Sequence, residues 1–99
     1  MSTAPYVVYI LRCGDGTLYT GITNDLDRRV LAHGAGRASR YTRCRLPVRV
    51  VYTEKVRGRS AALKREIAIK KLTRAGKAQL INRGPSSGAV RAPRRAILD

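Results

Sequence analysis

The sequence has few bulky aromatic residues and no long apolar run, and both shortages argue against a membrane protein. It contains no Trp and no Phe, whereas helices that lie on a membrane surface insert such side chains into the lipid. No apolar run approaches the roughly 18 residues of a membrane span, and residues 1–5 lack the features of a signal peptide. We therefore expect a cytoplasmic protein without a membrane partner.

Cysteine and acidic residues are also scarce. Cys13 and Cys44 form no close pair and lie near no histidine cluster, so the spacing of a zinc site is absent and two unpaired thiols are expected in a reducing compartment. Only 6 Asp and Glu stand against 21 Lys and Arg, which gives a net charge of +15. Such a field attracts polyanions, and nucleic acid is the expected partner of a small basic domain.

A predicted β-hairpin opens the chain. Residues 6–11 and 18–22 are short, apolar and rich in β-branched and aromatic side chains, and a glycine-containing turn separates them. If the loop has an odd number of residues, for example with Gly16 as a bulge, Tyr9 and Tyr19 lie on the same face of the sheet. An even loop places them on opposite faces. We expect the odd loop.

A helix should follow the hairpin directly. Asn24 and Asp25 are good N-cap residues, and Arg29 and His33 lie four residues apart on one side of the predicted helix. Two phenols, a guanidinium and an imidazole thus converge where the second strand ends. Alternatively, His33 serves as a helix C-terminal cap beside Gly34.

The remaining pattern predicts one small α+β domain over residues 1–83, with a mainly antiparallel three-stranded sheet flanked by helices in the order β-β-α-β-α-α. Its later elements are a surface loop with one short helical turn at 34–47, a strand at 48–56, and helices at 59–72 and 75–82. Ser60 is available near the start of the first of these helices, and Thr73 is a candidate cap for the second. Leu63 with Ile67, and Ala62 with Ile69, recur at helical spacing. Residues 84–99 are predicted to form a flexible basic tail.

Glu66 lies inside the apolar arc of its predicted helix, an unfavourable place for an unpaired carboxylate. It either pairs with Lys70, four residues later, or binds a metal ion. We favour the metal, because the centre of an apolar arc is an odd site for a surface ion pair.

Seven residues are candidates for contacts with nucleic acid. Arginines suit phosphates and a tyrosine can stack on a base, although a solvated basic loop explains most of them equally well. The candidates are Arg28, Arg37, Arg40, Tyr41, Arg43, Arg45 and Lys70.

The spaced set of residues resembles the signature of the GIY-YIG nuclease superfamily. The matching positions are Val7-Val8-Tyr9, Tyr19-Thr20-Gly21, Arg29, His33 and Glu66. Val7 stands where the first motif has its glycine. The resemblance runs from about residue 6 to about residue 82 and is closest to short, stand-alone bacterial members, which are related to the catalytic domain of the excision-repair nuclease.

The resemblance implies a metal-dependent endonuclease that acts on DNA, with RNA as the alternative substrate, in repair or recombination. Glu66 would hold Mg²⁺ or Mn²⁺, Arg29 would clamp the scissile phosphate, and Tyr9 would take a proton from the attacking water. His33 would accept that proton, and Tyr19 would orient water or phosphate. A phenolate at neutral pH needs help from nearby cations, and the field here is strongly positive.

Two positions depart from the excision-repair relatives, and two other functions compete. Ile22 stands where those relatives have a lysine, so Arg28 or another arginine must replace that cation, and Asn82 is the only plausible counterpart of their asparagine. The first competing function is a basic nucleic-acid-binding module without useful catalysis. The second is an accessory subunit whose protein partner supplies specificity.

Overall fold

A central antiparallel sheet carries helices on both of its faces. The structure, a computed structural model, describes residues 4–84 and 97–98. Its elements are β1 (Pro5–Arg12), β2 (Leu18–Thr23), α1 (Leu26–Gly34), α2 (Arg40–Arg43), β3 (Val48–Arg57), α3 (Arg59–Lys70), α4 (Arg74–Arg83) and β4 (Ile97–Leu98). The strand order is β2-β1-β3-β4. The predicted α+β fold with three principal strands is confirmed.

The end of the chain adds one short strand that we did not predict. β4 has two residues and pairs with the start of β3, where Leu98 lies opposite Val48 and Ile97 opposite Arg49. Residues 85–96, which make up most of the predicted flexible tail, lie outside the described part of the chain.

The hairpin between β1 and β2 has the predicted odd loop. Arg12 pairs with Leu18, which leaves five residues in the loop. The loop closes with a hydrogen bond from Cys13 N to Thr17 O at 2.8 Å. Gly16 adopts a φ of 86°, a conformation that glycine reaches without steric cost. The resulting register places Tyr9 and Tyr19 on the same face of the sheet, as expected.

The alternation of β1 divides the core into two parts on opposite faces of the sheet. Val8 and Ile10 pack with Ala62 and Ile69 of α3 and with Leu80 of α4. On the other face, the next residues of β1 pack against α1 and the start of β3. This second cluster contains Tyr9, Leu11, Cys13, Val30, Val48 and Val50.

An irregularity in β3 allows this strand to supply both clusters. Ile10 pairs with Tyr52 while the adjacent Leu11 pairs with Val50, so Val51 is an extra residue in the ladder. Such a bulge reverses the alternation of side chains along the strand. Val50 consequently points to the α1 face and Tyr52 to the α3 face.

Two of the predicted helix caps are present. The Asp25 side chain accepts a hydrogen bond from Arg28 N at the start of α1, so the cap is Asp25 rather than Asn24. Thr73 accepts from Gly76 N at 3.0 Å at the start of α4. Each satisfies an amide of the first helical turn that lacks a partner within the helix.

Three expectations about α3 are wrong. The helix begins after Gly58, which has a φ of 85°, and no side chain caps it, so Ser60 does not have the expected role. The helix ends at Lys70 instead of residue 72, with Lys71 as its C-cap. Ile67 is 53% exposed, so its predicted pairing with Leu63 on the buried face is incorrect, and Ala62 and Ile69 make the core contact instead.

Two further features are the state of the cysteines and the length of the helices. Cys13 is buried, Cys44 is exposed, and both are free thiols, as predicted. Within the described part of the chain, the helices are all too short or too polar to span a bilayer.

A buried carboxylate ties α3 to β3. Glu54 is 5% exposed. It accepts hydrogen bonds from the Tyr52 hydroxyl at 2.6 Å and from Arg65 Nε at 2.7 Å. Burial, together with the bond to Glu54, raises the pKa of Tyr52 to about 12. Because Arg65 precedes Glu66, this network also fixes the rotation of α3 that presents Glu66.

Replacing Glu54 by alanine should destabilise the fold by about 2 kcal/mol, because the Tyr52 hydroxyl and the Arg65 guanidinium lose their acceptor. Urea unfolding followed by circular dichroism measures this loss. Lys64→Ala, an exposed change on the same helix, is the control and should stay within about 0.5 kcal/mol of the parent. Equal stability of the two variants would show that the network contributes nothing.

Candidate active site

Tyr9, His33 and Tyr19 form the centre of the candidate site. Tyr9 comes from β1, Tyr19 from β2 and His33 from the last turn of α1. The Tyr9 hydroxyl lies 2.9 Å from His33 Nε2. The Tyr19 ring packs edge-on against the imidazole, with ring centroids 5.3 Å apart. The sheet and the helix thus bring together three side chains that are up to 24 residues apart in the sequence.

A second hydrogen bond fixes the tautomer of His33. Its Nδ1 lies 2.8 Å from Thr42 Oγ1, and the Thr42 hydroxyl donates to Ser39 O at 3.4 Å. Since a hydroxyl has one proton to donate, Nδ1 must be the donor toward Thr42. Nε2 is therefore the acceptor for the Tyr9 hydroxyl. His33 is 1% exposed and fully engaged, so the alternative role as a helix cap is wrong.

Burial keeps the proton on Tyr9 in the protein alone. It raises the pKa of Tyr9 well above its usual value, and the charges of Tyr19 and Glu66 add to this rise, while Arg29 opposes it. Burial also lowers the pKa of His33 to about 4, helped by the positive charge of Arg29. The positive field expected to favour a phenolate is therefore outweighed by desolvation.

Gly21 makes room for the Tyr9 side chain. The two residues are cross-strand partners, and a Cβ atom built on Gly21 would lie 2.5 Å from the Tyr9 hydroxyl oxygen and 2.7 Å from Cζ. Any other residue at this position would displace the phenol. A glycine inside a strand is a known signal of such close approach.

Arg29 acts on the site from the exposed side of α1. Its charge influences the pKa values of both Tyr9 and His33. Arg29 also lines a cavity of about 300 Å³ together with Arg28 and Arg37. Three guanidinium groups at one cavity provide the planar, multiply donating groups that bind phosphate well.

Tyr41 lies in a stack instead of standing free for a base. Its ring is stacked on Tyr19, with centroids 5.8 Å apart and an angle of 29° between the planes. The Arg45 guanidinium lies 4.0 Å from the centre of the same ring and is paired with Asp15 at 3.1 Å. A base that stacks on a face of Tyr41 would have to displace one of these neighbours.

Glu66 is the acidic group of the site. Its side chain is 17% exposed and forms an ion pair with Lys70 at 3.3 Å. Its charge reaches Tyr9, because it contributes to the raised pKa of that phenol. The carboxylate thus acts electrostatically on Tyr9, but it already has Lys70, the cationic partner that the sequence offered as the alternative to a metal ion.

The donor set fits a magnesium-like ion. The described residues contain no group of three or more His, Cys, Asp or Glu side chains that could enclose a metal. Mg²⁺ commonly binds through one or two carboxylates and keeps several waters. A single partly buried carboxylate such as Glu66, 17% exposed, satisfies that requirement.

Three of the predicted residues are exposed on the surface. Arg40 and Arg43 are exposed on α2, and Asn82 is exposed in the last turn of α4. No contact with the tyrosine-histidine centre supports a role for Asn82.

Two residues of the site escaped the sequence analysis. Thr42 is completely buried against His33, but it lies in an arginine-rich loop in which a single threonine carries no pattern. Gly21 was part of the quoted motif without an assigned role, although its position inside a strand was the available signal.

Comparison with known proteins identifies the family to which this arrangement is similar. A family model described as the GIY-YIG catalytic domain matches residues 5–81. The UPF0213 protein of Natronomonas pharaonis is 50% identical over 78 residues, which cover 79% of this chain and 92% of that protein.

Two solution NMR structures are also similar, each with 40% sequence identity. The match to the UPF0213 protein BH0048 from Bacillus halodurans has a TM-score of 0.54 and covers 84% of this chain and 88% of that chain. The match to the protein EF2693 from E. faecalis has a TM-score of 0.57 and covers 84% of this chain and 90% of that chain.

The lowered pKa of His33 predicts a loss of stability in acid. Unfolding restores the ordinary pKa of about 6.5, so the unfolded chain binds the extra proton first as the pH falls. The His33 contribution is complete above pH 6.5 and is lost toward about pH 4, with a magnitude on the order of 2 kcal/mol. Urea unfolding at a series of pH values measures it, and His33→Gln should flatten this part of the curve. Parallel curves for parent and variant would contradict the prediction.

Proposed function

We propose that this chain, which belongs to the GIY-YIG catalytic domain family, is a divalent-metal-dependent endonuclease that hydrolyses phosphodiester bonds in nucleic acid. DNA is the favoured substrate, and DNA repair or recombination in the cytoplasm is the favoured setting. The observation that carries this proposal is the Tyr9 hydroxyl, which contacts His33 at 2.9 Å while the charges of Arg29 and Glu66 both act on it.

Arg29 is the proposed phosphate clamp. It is exposed, and the cavity that it shares with Arg28 and Arg37 has the positive charge that a phosphodiester requires. Arg28, next to Arg29 in the sequence, also supplies a cation. It replaces the lysine that the excision-repair relatives have at the position of Ile22. A planar guanidinium donates two parallel hydrogen bonds to phosphate oxygens, which positions the scissile group as well as neutralising it.

Glu66 is the proposed metal ligand. When bound, a divalent cation such as Mg²⁺ or Mn²⁺ would relieve negative charge on the phosphoryl and leaving oxygens. The Glu66 carboxylate can take this role only after its ion pair with Lys70, at 3.3 Å, is broken and the metal ion takes the place of the ammonium group. Lys70 would then be released toward the nucleic-acid backbone, in line with its predicted role.

Tyr9 and His33 form the proposed proton path. Tyr9 accepts a proton from the attacking water as its own proton moves to His33 Nε2, which the tautomer leaves open as an acceptor. In the protein alone, burial and Arg29 hold the pKa of His33 low. A phosphate bound to Arg29 would offset that positive charge, so substrate binding itself would make His33 a better acceptor. Tyr19, less buried than Tyr9, would orient water or phosphate.

A non-catalytic nucleic-acid-binding module is the second candidate function. The ion pair between Glu66 and Lys70 favours it, because a carboxylate neutralised in this way needs no metal ion. Its net charge of +15 alone would suffice for binding. The two candidates differ in whether Glu66 is required for cutting.

Replacing Glu66 by glutamine should abolish Mg²⁺-dependent cutting while binding persists, because the amide keeps the shape of the side chain but loses the negative charge. We expect cutting of a labelled DNA duplex to fall at least 100-fold, the scale of losing a key catalytic group. Binding measured in EDTA by fluorescence anisotropy should change less than threefold, well under 1 kcal/mol.

Asp27→Asn is the matched control, because it removes one negative charge from an exposed position on α1 and should leave cutting intact. Parent protein that binds DNA but cuts neither DNA nor RNA with Mg²⁺ or Mn²⁺ would establish the binding module instead. Cutting of RNA alone would change the substrate and keep the mechanism.

Tyr9→Phe and Tyr19→Phe separate the roles of the two phenols. Tyr9→Phe should lower kcat by roughly 10²- to 10⁴-fold and flatten the pH dependence of kcat, because the general base is lost. Tyr19→Phe should act mainly on KM, with a smaller effect on kcat. Steady-state cleavage over a pH series measures both, and the reverse pattern would assign the base to Tyr19.

A further inference from the structure

We infer that α4 and the β1–β2 hairpin form a second phosphate-binding site, which holds the backbone of the nucleic acid beyond the point of cleavage. The inference rests on the proposed function for the nature of the ligand. Of its residues, only Tyr41 is a candidate that the sequence indicates, and all of them lie outside the tyrosine-histidine centre. The site is lined by Thr17, Leu18, Tyr41, Arg74 and Lys77.

The cavity has the size and charge that a phosphate group requires. It measures about 210 Å³, and two of its five lining residues are cationic while none is acidic. Asp15, in the same hairpin loop, is already occupied by hydrogen bonds from Thr17 N and Thr17 Oγ1 and by the ion pair with Arg45. Asp15 is therefore not free to neutralise the positive charge of Arg74 and Lys77.

The two cations of the site are held in place differently. Arg74 Nη2 donates to Gly16 O at 2.8 Å, which fixes the guanidinium against the hairpin and leaves further N–H groups of its fork for an anion. Lys77 follows three residues later on the same side of α4. Within residues 4–84 no acidic side chain forms an ion pair with Lys77, so its ammonium is available.

Tyr41 connects this site to the candidate active site. Its ring lines the cavity and also stacks on Tyr19, with centroids 5.8 Å apart. A DNA strand carries one phosphate per about 3.4 Å of helix axis. The cavity is therefore within a few nucleotides of Tyr19.

The other basic cavity lies at the opposite end of β2. Thr23, the last residue of the strand, lines the cavity with Arg28, Arg29 and Arg37, whereas Leu18, the first residue, lines the cavity of α4. Tyr19 lies between them. A strand residue advances about 3.3 Å, so the two cavities are separated by a distance that several nucleotides span. The geometry suits a backbone that runs along β2, with the scissile phosphate clamped by Arg29 at one end and a phosphate farther along the strand held by Arg74 and Lys77 at the other.

Lys77→Ala tests the site, because the Lys77 side chain has no hydrogen bond or ion pair with residues 4–84, whereas loss of Arg74 would also break its bond to Gly16. We expect affinity for a labelled DNA duplex in EDTA to weaken about three- to tenfold, and the slope of log affinity against log salt to fall by about one. Lys77→Glu should weaken binding further. Lys64→Ala removes the same charge from the outer side of α3 and should leave the slope within experimental error of the parent.

Equal effects of Lys77→Ala and Lys64→Ala would overturn the site, since the loss would then reflect net charge alone. Thermal unfolding of both variants checks the fold, and Lys77→Gln provides a second variant that keeps a long side chain. If the parent cuts DNA and Lys77→Ala binds like the parent, the inference fails and the nuclease function stands. If the parent never cuts but Lys77→Ala weakens binding selectively, the site stands without the proposed chemistry.

Discussion

The hydrogen bond between Tyr9 and His33 is the contact on which the rest of the site depends. It joins β1 to α1, and both side chains are almost completely buried. Two further residues make it possible, because Gly21 leaves space for the phenol and Thr42 holds the far nitrogen of the imidazole. A site built in this way is rigid before any ligand arrives, and preorganisation of this kind lets electrostatic groups act without being rearranged first.

The two faces of the sheet carry different groups of side chains. The α1 face carries the phenols and the imidazole, whereas the α3 face carries the aliphatic core and the buried Glu54 network. Glu66 belongs to a helix of the second face but acts electrostatically on Tyr9 of the first. The position of the acidic group thus depends on the packing of α3 against the opposite side of the sheet, where the bond between Arg65 and Glu54 joins this helix to β3.

Local patterns predicted most of the fold, and they failed where tertiary contacts decide the outcome. The hairpin, its odd loop and the caps at Asp25 and Thr73 follow from short-range stereochemistry, so the sequence was sufficient. The exposure of Ile67 was not predictable from helical spacing, because it depends on how α3 sits on the sheet. Thr42 and Lys77 gave no signal, since their roles arise only when α2 and α4 fold back toward the hairpin. The partner of Glu66 was foreseen only as one of two alternatives.

The extra residue Val51 in β3 has a consequence for how this fold can vary in length. Because the ladder contains it, Val48 and Val50 face the α1 side, whereas Tyr52, the next even-numbered residue, faces the α3 side. Deleting Val51 would leave every cross-strand pair intact and restore a regular alternation, so Glu54 would stay on the α3 side. Deleting a paired residue of β3 after the bulge would instead force the residues between the deletion and Val50 to change faces. The unpaired position is therefore the place at which this strand can shorten by one residue and keep both halves of the core.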